Sequence, residues 1–279
     1  MKQNYRQFTS TTPMTNSELQ GIAPAIFAEE AWGGMSSKYA FISTATLIDR
    51  LREAGFDPFS VRQSIARIEG KGDFAKHQLR FRQFGVAPIA SLGGAVPEII
   101  ATNAHDGTGG YRIDCGLFRW VCFNGTFVGD MVGSIRKRHV GDVDDILDAT
   151  FEVVDQFPRV IERAQEFHSI QMSGQEQVAL AESALIVRYG GADDDHAPIS
   201  AQRALTTHRN ADAAPTLWNT FNVLQENLTQ GGLRGYSSSG RRLRTKAVQG
   251  VNENTSLNKA LWNLTERMAE LMTGKAVAA

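Results

Sequence analysis

The chain has 279 residues, 29 Lys+Arg against 30 Asp+Glu and a formal net charge of −1. This length holds one or two domains with an ordinary core, and near-neutrality excludes both an acidic mimic of DNA and a strongly basic nonspecific coat. Cys115 and Cys122 are too few for a disulfide framework, no apolar run reaches 18 residues, and no apolar segment follows Met1–Arg6, so the composition predicts a reducing cytoplasm with neither membrane span nor secretion leader.

In chain order, the first 35 residues are rich in Thr, Ser, Gln and Asn without a sustained period. They are expected to form a poorly packed, flexible arm over 1–36. Thr44 as an N-cap, Leu47, Ile48 and Leu51 on one face, and Gly55 as a stop predict a short helix. Short β-branched or aromatic runs at Ser60–Ile68, Phe74–Phe84, Val96–Asn103 and Tyr111–Phe127 predict strands. Gly70–Asp73 and Asn124-Gly125 are expected as hairpin turns. From Val143 the period is helical to Phe167, with Pro158 kinking or dividing the helix. Ser173-Gly174-Gln175-Glu176 is a capping box opening another helix. Further helices are expected from Thr216 to Gly231 and through Leu257–Leu271, with a Gly/Ser-rich stretch between them. The fold class is α+β: an antiparallel sheet in the N-terminal half packed with helices from the C-terminal half. One domain is expected over 37–279, sheet-rich at 37–140 and helix-rich at 141–279.

Charge is sorted along the chain. Arg62–Arg82 carries six basic residues against Glu69 and Asp73, Asp142–Glu166 carries eight acids against Arg159 and Arg163, and Arg241–Lys246 has no acid. On a strand over Phe74–Phe84, Lys76, Gln78, Arg80 and Arg82 share one face, and Ala75, His77, Leu79 and Phe81 the other. Arg242, Arg244 and Lys246 likewise share a parity. Same-face side chains repeat every ~7 Å, close to the phosphate spacing of an extended single strand, so both segments are candidate nucleic-acid contacts. An ordinary solvated strand face is the competing reading. His105-Asp106 could serve as a base with its orienter or as two ligands of a metal, although Asn103 and Asp106-Gly107 favour a satisfied turn. Cys122 shares parity with Phe118 and Trp120 and reads as buried and inert. Arg119, on the opposite parity, could pair with an acid or a phosphate. No phosphate loop, Gly-x-Gly-x-x-Gly or His-x-x-x-His is present, and neither cofactor nor metal is predicted.

Asn103-x-His105-Asp106-Gly107, Gly116-Leu117-Phe118-Arg119-x-Val121-Cys122-x-Asn124-Gly125 and Arg138-His139-x-Gly141 resemble the family called domain of unknown function 932, phage/plasmid-like proteins of bacteria and their viruses. Ser37–Ile42 and Leu217–Asn227 fit the same pattern, so the resemblance spans about 37–265. It implies a mobile-element protein of the bacterial cytoplasm, with Asn103, His105, Asp106, Arg119, Asn124 and His139 as its motif positions. A helix, a basic β-hairpin, a further strand and a long helix over 44–165 are also similar in order to the core of single-strand annealing proteins; Tyr111–His139 has no counterpart in that core.

The resulting expectation is a phage- or plasmid-encoded, noncatalytic protein that binds single-stranded DNA in recombination or replication. Lys76, Arg80, Arg82, Arg242, Arg244 and Lys246 would hold phosphates, and head-to-tail homo-oligomers would match acidic to basic segments. The rivals are a hydrolytic or nucleolytic enzyme using His105, Asp106, Arg119 and Cys122, and an inhibitor of host defence that binds a host- or element-encoded protein.

Overall fold

The computed structural model describes residues 5–35, 39–120, 124–127, 134–137, 143–190 and 197–274. Its period-two runs pair into one antiparallel sheet. β1 (Tyr5–Thr9), β2 (Phe56–Ser64), β3 (His77–Gln83), β4 (Ala95–Asn103) and β5 (Tyr111–Arg119) lie side by side in chain order. One end of β5 then pairs with β6 (Asn124–Phe127) and the other with β7 (Ser134–Lys137). The helices are α1 (Asn16–Ile22), α2 (Thr44–Glu53), α3 (Val143–Val154), α4 (Phe157–Ser169), α5 (Gly174–Tyr189), α6 (Ala201–Ala204), α7 (Leu217–Gln230) and α8 (Val251–Thr273). A separate hairpin, β8 (Arg234–Tyr236) with β9 (Arg242–Arg244), lies between α7 and α8. The chain is therefore α+β, as its periodicities predict.

Local signals account for most boundaries. Pro158 sits in the first turn of α4 and separates it from α3, because a proline ring is tolerated there but not inside a helix. Ser173 and Glu176 form the reciprocal capping box of α5. Thr216 caps α7 through the Asn219 amide, and Gly274 ends α8 at φ 67°.

Three expectations are corrected. Residues 5–27 are not an arm: β1 pairs with β2 in the register Tyr5↔Ser64 to Thr9↔Ser60, and Leu19, Ala25 and Ile26 are fully buried. A five-residue strand and a seven-residue helix are too short to display a period and gain their stability from tertiary contact. Second, β2 and β3 are joined not by a tight turn at Gly70–Asp73 but by a longer link containing the 3₁₀ turn Lys71–Phe74. Third, Asn124 and Gly125 lie in β6, opposite Arg119 and Phe118. The chain reversal therefore precedes the Asn-Gly pair.

The sheet has two unlike faces. Val61, Leu79, Phe81, Ile99, Ala101, Ile113, Cys115 and Leu117 face the apolar core, against which α1 to α4 pack. The other face presents Arg62, Gln78, Arg80, Arg82, Glu98, Thr102, Arg112 and Asp114 beneath α8 and the segment leading into it. Cys115 is 0% exposed, and burial raises its thiol pKa well above the ordinary value. It is expected to resist a thiol reagent in the native protein and to react only after denaturant is added; modification of a Cys122→Ser variant at the rate of a free thiol would contradict this packing.

Candidate nucleic-acid interface

Arg80 and Arg82 share the polar face of β3, as alternation requires, but that face is covered. Both guanidinium groups are paired with Glu98 on β4, Arg82 through Nε at 3.2 Å. Glu98 is 0% and Arg82 2% exposed. Arg82 stacks on Phe118, its guanidinium carbon 3.4 Å from the ring centroid. Arg62 on β2 completes the group: its Nη2 donates to the carbonyls of Val248 and Gln249 at 2.9 Å, and it lies over the Tyr5 ring. Burial lowers the pKa of Arg62 and of Arg82. The three arginines line a cavity of about 300 Å³, which β1, the end of α7 and the first turn of α8 enclose. The expected open phosphate-tracking strip along Phe74–Phe84 is thus a roofed pocket. Lys76 stands outside it, half-buried, with Nζ donating to the Thr108 carbonyl at 3.3 Å and to Asn252 Oδ1 at 3.4 Å.

The second basic segment is exposed. β8 and β9 pair in the register Arg234↔Arg244 and Tyr236↔Arg242, which puts all four side chains on one solvent-facing side. Arg203 of α6 lines the same surface concavity. The hairpin is seated by the Tyr236 amide, which donates to the Pro198 carbonyl at 2.8 Å. Gly235 permits this, because a Cβ there would lie 2.0 Å from that oxygen. Among the described residues, no ion pair engages Arg203, Arg234, Arg241, Arg242, Arg244 or Lys246. Lys246 is exposed but lies beyond the end of β9, so the strand face expected to include it stops at Arg244; its carbonyl accepts from Arg188 at 3.5 Å. The two basic segments therefore belong to different sheets, not to one groove. They are nevertheless close, since Arg244 and Val248 can be separated by at most about 15 Å of chain.

The family-motif residues serve other ends. The Thr44 hydroxyl, at the start of α2, lies 2.9 Å from His77 Nε2, 3.2 Å from His105 Nε2, 3.0 Å from the Tyr111 hydroxyl and 3.1 Å from Asn103 Nδ2. All five residues are buried, and burial pushes the Tyr111 phenol pKa up. This polar knot ties α2 to the ends of β3, β4 and β5. Asp106 closes the turn the sequence suggests: its Oδ1 accepts from the Thr108 amide at 3.0 Å, and Lys71 lies 3.8 Å from Oδ2. Arg119 is buried against Asp212, Nη2 to Oδ1 at 2.8 Å, and donates from Nε to the Leu92 carbonyl. Arg119 pairs in register with Ala95, whereas His105 follows Asn103 at the far end of β4, roughly 26 Å away at about 3.3 Å per residue. His105 and Arg119 therefore do not converge into the site the enzyme reading requires. Asn124 starts β6; Cys122 and His139 lie outside the described residues.

Arg62, Glu98, Arg203, Arg234 and Tyr236 are functional candidates that sequence reasoning missed. Arg234-Gly235-Tyr236 carries the signal of a strand facing Arg242–Arg244, masked by the Gly/Ser-rich composition around it. Glu98, a carboxylate inside the apolar run Val96–Ile100, signals a buried counter-charge.

A polar sheet face under a helical roof, beside an exposed cationic hairpin, defines an α+β protein with one buried and one exposed cluster of arginines. The family model for domain of unknown function 932 matches residues 31–262, and the chain belongs to that family. It is 38% identical over 257 residues to UPF0380 protein YafZ of Escherichia coli K12, covering 92% of each chain. It is 37% identical over 257 residues to UPF0380 protein YfjQ of the same organism, with the same coverage. No solved structure is significantly similar. No helix among the described residues is long and apolar enough to cross a membrane.

Proposed function

We propose that this chain is a noncatalytic single-strand nucleic-acid-binding protein of a phage or plasmid, acting in the bacterial cytoplasm during recombination or replication. The observation that carries this reading is the exposed face of the β8–β9 hairpin, where Arg234, Arg242 and Arg244 surround Tyr236 without an acidic partner among the described residues. Arg234 and Arg244 are direct cross-strand neighbours. Like charges so placed destabilise a two-stranded ribbon, and a polyanion laid across them relieves that cost. Guanidinium groups would take successive phosphates with release of counterions, while Tyr236 offers a ring on which a base stacks. Self-association fits the same charges: the exposed Asp148 and Glu152 of α3 would meet the hairpin of a second copy.

Titration with single- and double-stranded oligonucleotides at two salt concentrations tests the reading. Tighter binding of the single strand, with log Kd rising with log salt at a slope of about 2 or more, is expected for at least three phosphate contacts. Equal affinity for both forms, or a slope near zero, would overturn it.

A further inference from the structure

The roofed pocket on the polar sheet face holds buried arginine donors, Arg62 Nε and Arg82 Nη1 and Nη2, that the described residues leave unmet. Its walls carry Arg62, Arg80 and Arg82 and, among the described residues, no acidic side chain. Glu98, buried behind them, is the carboxylate that meets Arg80 and Arg82. Glu253, in the first turn of α8, also attracts Arg62. A buried donor without a partner is costly. Arg82 keeps two of them: Nη1 and Nη2 have no hydrogen-bond partner although the side chain is 2% exposed. The stacking of its guanidinium on Phe118 and its bond to Glu98 fix the plane, so those two N–H groups are held in position rather than free to find solvent. The opening turn of α8, represented by Asn254, borders the same cavity and adds the positive end of a 23-residue helix.

We infer that this pocket is a binding site for a terminal phosphate, that is, a phosphate monoester. The unmet donors select it: Arg62 Nε and Arg82 Nη1 and Nη2 are three buried nitrogens without a partner among the described residues, and a monoester offers three non-bridging oxygens and about −1.5 to −2 charge at neutral pH, whereas an internal diester offers two oxygens and one negative charge. Guanidinium forks also match phosphate oxygens two at a time. The volume of about 300 Å³ lies at the low end of small-ligand sites, enough for a phosphate and the group that bears it. Two sources share this chemistry, the phosphorylated end of a nucleic-acid strand and a free mononucleotide. The strand-end source rests on the nucleic-acid reading above; the site itself does not. Its distance from the hairpin, at most about 15 Å between Arg244 and Val248 along the chain, is a span of a few nucleotides.

The test uses the full-length protein and fluorescence anisotropy at one salt concentration. Its probes are a single-stranded oligonucleotide bearing a 5′-phosphate, a 3′-phosphate or hydroxyl ends, with adenosine monophosphate and inorganic phosphate as competitors. A phosphorylated end is expected to bind at least about tenfold tighter than the hydroxyl form. Gln7→Glu places a carboxylate at the exposed rim of the pocket without disturbing the core and should abolish that preference. Arg62→Gln should do the same, with a circular dichroism melt verifying its fold. Binding of adenosine monophosphate by calorimetry, lost in Gln7→Glu, with no end preference, supports the site and assigns it to free nucleotides. Binding of the monophosphate by a protein that binds no oligonucleotide supports the site while the nucleic-acid reading fails. Identical affinity for phosphorylated and hydroxyl ends, with no binding of monophosphate or phosphate, overturns the inference even if the hairpin binds DNA.

Discussion

Replacing Arg234, Arg242 and Arg244 together by alanine is expected to weaken single-strand binding roughly 100-fold at about 0.1 M monovalent salt, and to flatten the salt slope by about 2. Each phosphate contact on a single strand contributes about 0.7 to that slope, and each tenfold dilution of salt below 1 M contributes the same exponent to affinity. The three side chains are exposed and engage no ion pair among the described residues, so the substituted protein should melt at the wild-type temperature or slightly above it, the like-charged Arg234–Arg244 pair having been removed. Tyr236→Ala provides the contrast. Its affinity should fall by the ~1–3 kcal/mol of a base–aromatic stack while the salt slope stays unchanged. A triple variant that stays folded and binds with its original affinity and slope would remove the hairpin from the interface, and with it the observation that carries the nucleic-acid reading.

The fold was legible wherever a segment was long enough to repeat itself. β3, β4, β5 and the helices α3, α4, α5, α7 and α8 announce their period, and Pro158, Ser173 and Thr216 announce their ends. β1 and α1 do not, because five and seven residues hold less than two helical turns or a few alternations, and their burial depends on partners distant in sequence. The candidate site was legible in one dimension only. Alternation correctly puts Arg80 and Arg82 on one face of β3, yet parity says nothing about what covers that face. The roof comes from Val248 and Asn254, more than 150 residues further along the chain, and from Arg62, whose role depends on the carbonyls of Val248 and Gln249. The pair Arg242 and Arg244 was read correctly as a strand face, but their partners Arg234 and Tyr236 were hidden in a stretch whose glycines suggested a loop. Gly235 is a glycine for packing against Pro198, not for turning. The spacing of His105 and Asp106 suggested chemistry, whereas the structure gives His105 to the Thr44 knot and Asp106 to a turn.

Glu98→Gln is expected to lower stability by about 3–5 kcal/mol, because it leaves Arg80 and Arg82 as buried charges facing an amide. For a chain of this size that is a fall in Tm on the order of 10 °C. The side-chain volume is unchanged, so no cavity contributes, and the loss reads the electrostatics alone. The effect should be largely reversed in the triple variant Arg80→Met, Glu98→Leu, Arg82→Met, which removes all three charged groups and fills the space between Phe59 and Phe118 with apolar atoms; replacing a buried ionic triad by hydrophobic groups is often neutral or stabilising. Anions provide the second reading of the same variant. With Glu98 neutral, the pocket loses the carboxylate that pairs with Arg80 and Arg82, so phosphate or sulfate in the buffer should raise the Tm of Glu98→Gln more than that of wild type, in line with the stabilisation any ligand gives the state it binds. Chloride at equal ionic strength controls for screening. A loss below about 1 kcal/mol would mean that water already reaches Arg80 and Arg82 and solvates their charges. Equal stabilisation of both proteins by phosphate and by chloride would mean that the pocket does not discriminate among anions. Either result would separate the buried Glu98 pair from any role in organising the site, and the cluster of Arg62, Arg80 and Arg82 would then have to be explained by the packing of α8 alone.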